Sequence, residues 1–123
     1  MSDHPKTKGV VLYPDGTYQR KVFDSLEKMQ ASVGGLIERL NLPEATAYIN
    51  EEGKLHDLDF NGQATLICLL AGNISHWDNI KGNMIIMGVD DGEGYDTDIS
   101  NHWMTTVEMY WQPRNEHEWE KSA

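Results

Sequence analysis

The stretch "ASVGGLIERL", residues 31–40, decides how this chain divides into elements. It lies within "DSLEKMQASVGGLIERLNLP", where Leu26, Met29, Val33, Leu36, Ile37 and Leu40 fall on one stripe at helical spacing. Asp24 or Ser25 can cap the start, Glu27 follows Asp24 by three positions, and Asn41 before Pro43 supplies a stop. The spacing predicts one amphipathic helix over 25–41. Two adjacent glycines inside it need a reason, because such a pair costs a helix about 2 kcal/mol relative to Ala. At 100° per residue Gly34 and Gly35 lie about 120° and 140° from the centre of the stripe, away from the main core. With Ala31 one turn before Gly35 they form a small-residue face. Three readings follow: an intrachain neighbour lies across that face, the helix ends or kinks at the glycines, or two chains meet there about a two-fold axis.

Working outward, "GVVLYPDGTYQRKVF" contains two β-type runs, Val10 to Tyr13 and Thr17 to Phe23, around a "PDG" turn. "ATAYINEEGKLHDLDF", residues 45–60, reads as a second hairpin about "NEEG". Asn61 can cap a short helix "GQATLICLLAG" closed by Gly72, and its nearly all-round apolar character predicts deep burial. "MIIMGV" resembles a strand buried on both faces. "DDGEGYDTD" is a loop by composition. From Ser100 to Trp111 the spacing of Trp103, Val107 and Tyr110 favours a helix over the strand that "TTVEMYW" also suits. The expected fold is α+β: two β-hairpins plus a buried inner strand in one sheet, with one long amphipathic helix and a short buried helix packed on it. Its expected limits are an N-terminal arm at 1–8, a single domain at 9–112 and a polar tail at 113–123 in which Trp119 is an isolated anchor.

At 123 residues the chain can bury about two-thirds of its unfolded surface in one core. No run approaches a membrane span, and "MSDHPKTKGV" has no signal-peptide core, so a soluble, unexported protein is expected. The single cysteine, Cys68, excludes an intramolecular disulfide and reads as a buried thiol. Ten Lys and Arg against twenty Asp and Glu give a net charge of −10, which repels phosphate backbones and argues against direct nucleic-acid binding. The same charge suits a basic partner protein or mimicry of nucleic acid.

Four blocks in one order carry a resemblance: "VGGLIE" at 33–38, "NEEGK" at 50–54, Asn61 with Ala64 and Thr65, and Asp78, Ile80 and Gly82 before an apolar strand. The chain resembles, over roughly 9–91, a small domain-of-unknown-function family found mostly in bacteriophage genomes and other mobile elements. The resemblance implies a phage or mobile-element protein acting in the cytoplasm of a bacterial host, and it transfers no catalytic residue. Residues 92–112 depart from that pattern.

The residues themselves offer no local catalytic motif. Asp90, Asp91, Glu93, Asp96 and Asp98 are crowded, but counted from Asp96 the sixth position is Asn101 and the twelfth Val107, which fails the calcium-loop pattern. The histidines, at 4, 56, 76, 102 and 117, lack metal-ligand spacing on one element, leaving only a three-dimensional convergence of His56, His76 and Asp78. There is no Gly-x-Ser-x-Gly elbow and no phosphate-cradling glycine loop. No cofactor, metal or catalytic residue is therefore assigned. The leading expectation is a non-enzymatic phage accessory protein that binds and inhibits a host protein, plausibly a defence factor. Its interface is expected at Ala31, Gly34, Gly35 and Glu38, which would also serve a homodimer, and at Trp103, Met104 and Trp111. Two alternatives stay open: a sequestering protein for a nucleotide signal, anchored by Arg20, Lys21 and Arg39, and an acidic DNA mimic.

Overall fold

The computed structural model describes residues 6–53, 57–72 and 79–114. Six strands form one sheet: β1 (Thr7–Leu12), β2 (Thr17–Phe23), β3 (Ile37–Leu42), β4 (Ala45–Asn50), β5 (Met84–Met87) and β6 (Gln112–Pro113), in the spatial order β3-β4-β5-β1-β2-β6. All neighbours are antiparallel except β2 and β6. Three helices, α1 (Leu26–Val33), α2 (Gly62–Ala71) and α3 (Asn101–Tyr110), complete an α+β fold.

The glycines end the first helix. Ser25 caps α1 by accepting from Lys28 N, and Gly34 terminates it at φ 83°, a left-handed conformation that only glycine adopts without strain. The N–H groups of Gly34 and Gly35 both donate to Gln30 O. Leu36, Ile37 and Leu40 therefore do not extend the helix to 41. Leu36 leads into β3, which holds Ile37 and Leu40 and whose ladder pairs Ile37 with Asn50 and Leu42 with Ala45. Helical and strand spacing overlap over so short a run, and pairing with the next strand, β4, wins.

The second hairpin is correspondingly displaced. It joins β3 to β4 through Pro43 and Glu44, with Glu44 at φ 59°, the positive value expected after a turn proline. "NEEG" ends β4 instead of centring a hairpin. Residues 54–56 lie outside the described set; β4 pairs with β5 in place of the expected partner, and Phe60 makes an isolated bridge to Lys81. The first hairpin forms as expected but starts at Thr7, inside the anticipated arm, because Thr7 and Lys8 pair with Phe23 and Val22. At the other end Gln112 and Pro113 join the sheet beside Thr17 and Tyr18, so the anticipated tail begins as a strand.

Alternation along the strands divides the core in two. Val10, Leu12, Met84, Ile86 and Ala47 face α2 and α3, where Ala64, Cys68, Trp103, Val107 and Trp111 meet them. Val11, Phe23, Tyr48, Ile85 and Met87 face α1 through Met29 and Val33. β5, central and fully buried, is the expected inner strand. The deep burial expected for α2 holds on one side only, since Leu66 and Leu70 are exposed.

Candidate functional site

The blocks that carry the resemblance form structural joints. Asn50 donates through Nδ2 to Val33 O at 3.1 Å, capping the end of α1, and accepts from Glu52 N at 2.7 Å. A Cβ on Gly35 would lie 3.0 Å from that Nδ2, so the second glycine makes room for the cap. "VGG" and "NEEG" are thus two halves of one contact. Asn61 joins the other pair: its Oδ1 accepts from Ala64 N at the start of α2, and its Nδ2 donates to Leu12 O and Gly82 O. Thr65 completes the joint, its hydroxyl donating to Asn61 O and accepting from Ile80 N. Asp78 of the fourth block lies outside the described residues.

The acidic loop is also spent internally. Asp90 Oδ1 accepts from Gly92 N and Asp91 Oδ1 from Glu93 N, while Asp98 Oδ1 accepts from Lys8 N. Asp96 is buried and accepts the Tyr48 hydroxyl. Burial first, and that bond second, hold the Tyr48 pKa far above its ordinary value. Arg39 reaches both Asp90 and Asp96 at 3.7 Å. These acids fasten the loop to the sheet. Among the described residues no group of three or more His, Cys, Asp or Glu could hold a metal ion. The proposed convergence of His56, His76 and Asp78 falls outside the described residues, as does Trp119.

The three cations expected to hold an anion are dispersed. Arg20 pairs with Glu108 on α3 at 2.7 Å, and Lys21 Nζ lies 3.4 Å from Ser32 Oγ on α1. Arg39 sits three intervening strands from either of them, about 19 Å across the sheet. The expected interface also divides. Ala31 and Gly34 are exposed at α1, and Gly35 is half-buried under Asn50. Glu38 is exposed on the edge strand β3. Trp103, Met104 and Trp111 belong to the core on the opposite face of the sheet. Trp111 is only 1% exposed and contributes no outward contact; the Trp103 indole donates to Pro43 O at 2.7 Å.

An open groove of about 350 Å³ appears where sequence spacing had marked only Trp103. Pro43 and Glu44 close one end, Ile67, Leu70 and Ala71 form one wall, and His102, Trp103 and Thr106 the other. α2 and α3 run antiparallel here, because Gln63 at the start of α2 bonds Tyr110 O at the end of α3 while Ala71 and His102 meet at the groove. At 100° per residue, His102, Thr106 and Met109 occupy the flank of α3 toward α2, and Glu108 the opposite flank. Leu70 on the groove wall is 80% exposed, and Leu66 and Met109 on the same two helices are 55% and 68% exposed, which adds apolar surface to this layer. The sequence signal for it was the apolar surplus of α2, more than one buried side can absorb.

The family model "Domain of unknown function (DUF3846)" matches residues 7–112. It extends beyond the 9–91 span of the resemblance and takes in the acidic loop and α3, so residues 92–112 are not a departure from the family. No curated protein and no solved structure matches the chain. No helix among the described residues is long and apolar enough to cross a membrane. With the match running from the first strand to the last, the chain belongs to this family of unknown function.

Proposed function

We propose that this chain is a non-enzymatic accessory protein of a phage or mobile element that binds and inhibits a host protein, plausibly a defence factor, in the bacterial cytoplasm. The observation that carries the reading is the groove on the outer face of α2 and α3, two helices on which Leu66, Leu70 and Met109 stand in solvent. Large exposed apolar side chains beside an apolar-lined groove favour an interaction site, and Met adds a contact that reshapes itself to its partner. The alternatives draw less support. The scattered cations Arg20, Lys21 and Arg39 do not form an anion cradle, and Asp90, Asp91, Asp96 and Asp98 bond the loop's own backbone or the sheet instead of being spaced along an exposed element.

The test is capture from bacterial lysate on immobilised wild-type chain and on Leu70→Asp. A protein retained saturably by the first and lost by the second supports the reading. Absence of any saturable protein partner overturns it, and capture indifferent to Leu70→Asp removes this face from it.

A further inference from the structure

Resting on that reading, we infer that the α2–α3 face receives a basic amphipathic helix of another protein. The charge distribution points to a cation-bearing occupant. Neither 61–72 nor 99–112 contains a Lys or Arg. Among the described residues, Glu44 lines the groove and has no ion pair, while Glu108, turned to the far flank of α3, is neutralised by Arg20. Around them the whole chain carries −10, a field that draws cationic surfaces and steers their approach. A second copy would bring the same −10 and no cation to meet Glu44 from this face, so self-pairing is electrostatically mismatched.

The shape points to a helix. α2 and α3 are ten residues each, and the groove between them is lined over residues 67–71 and 102–106, about one and a half turns of each, enough to seat the central turns of a third helix. Leu66 and Leu70, one turn apart, make a ridge for side chains repeating at i, i+3 or i+4, and i+7. Trp103, fixed by its bond to Pro43 O, provides a rigid wall opposite. An extended peptide would instead seek backbone partners along an edge such as β3, which this trough does not offer.

The test is fluorescence anisotropy with a labelled synthetic Leu/Lys amphipathic helix of roughly 18 residues, five turns, against a Leu/Glu peptide with the same apolar positions. The Leu/Lys peptide should bind saturably and the Leu/Glu peptide should not. Leu70→Asp should weaken binding by about tenfold or more, the loss typical of a central anchor. Glu44→Lys should weaken it several-fold and flatten its salt dependence. Leu26→Asp, at an exposed leucine of α1 on the other side of the sheet, should leave affinity unchanged. Thermal melts confirm that each variant folds, as substitutions at exposed positions should.

Equal binding of both peptides, or binding indifferent to Leu70→Asp, overturns the inference. So does light scattering that shows a wild-type dimer converted to monomer by Leu70→Asp, since the occupant is then a second copy. If the Leu/Lys peptide fails to bind while Leu70→Asp still abolishes capture of a lysate protein, the helix inference falls and the binding face stands. If both measurements fail, the protein-binding reading falls with it.

Discussion

Replacing Asn61 by Ala tests whether the joint between β1, α2 and the approach to β5 holds the domain together. The side chain is 1% exposed and makes three bonds: one accepted from Ala64 N at 3.2 Å, and two donated, to Leu12 O at 3.2 Å and Gly82 O at 3.1 Å. Loss of the helix cap costs about 1 kcal/mol. Each carbonyl deprived of a buried donor adds about 1 kcal/mol, for a total near 3 kcal/mol. In a chain of this size that corresponds to a fall in Tm of about 12 °C. Urea unfolding should show a lower midpoint at unchanged m, because the loss lies in the native state and not in the surface exposed on unfolding. Asn61→Ser keeps an acceptor for Ala64 N but is too short to reach Leu12 and Gly82, so it should recover about 1 kcal/mol of the loss. A cost below about 1 kcal/mol for Asn61→Ala would refute the assignment, since the cap alone accounts for that much.

The remaining predictions concern the end of α1 and the buried ionisable groups. Gly34→Ala should cost about 1 kcal/mol through its positive φ, measured by urea midpoint. Gly35→Leu should destabilise by displacing the Asn50 amide, without changing oligomeric state in light scattering; combined with Asn50→Ala it should cost less than the sum, and strict additivity would count against the shared contact. At high pH the domain should weaken. Burial pushes the Cys68 thiol up from 9.0 to about 11, and burial together with the Asp96 bond raises the Tyr48 phenol above its usual 10.0. The unfolded chain therefore releases these protons first, so their contribution is intact below about pH 9 and declines as pH rises through the unfolded values. Midpoints in urea that stay level from about pH 8 to 11 would contradict this, as would a Cys68 thiol reactive toward a disulfide reagent in folded protein.

What sequence made legible follows from how far each controlling interaction reaches. Asn61 and Gly72 were readable as the ends of α2 because a cap needs only the next few residues, and "PDG" announced the first hairpin for the same reason. "LIERLNL" was not readable locally. Leu36, Ile37 and Leu40 fit a helical stripe, while Leu40 and Leu42 also alternate as a strand, and the choice is made by β4 across the Pro43 turn. The glycine pair held the decisive hint, since a left-handed end at Gly34 forbids the longer helix. Its second member made sense only with Asn50 in place, a partner fifteen positions away.

The groove was harder to foresee because its walls come from three separated segments, Pro43–Glu44, Ile67–Ala71 and His102–Thr106, with no shared local pattern. Yet α2 had marked it indirectly. "GQATLICLLA" is apolar on more of its circumference than Ala64, Thr65 and Cys68 place in the core, which leaves Leu66 and Leu70 exposed. Apolar excess on a helix implies burial without saying against what. The sheet buries one side of α2 in this chain; the other side is exposed. That is why the joints at Asn50 and Asn61 account for the fold, while the proposed function rests on side chains outside the four short blocks that form those joints.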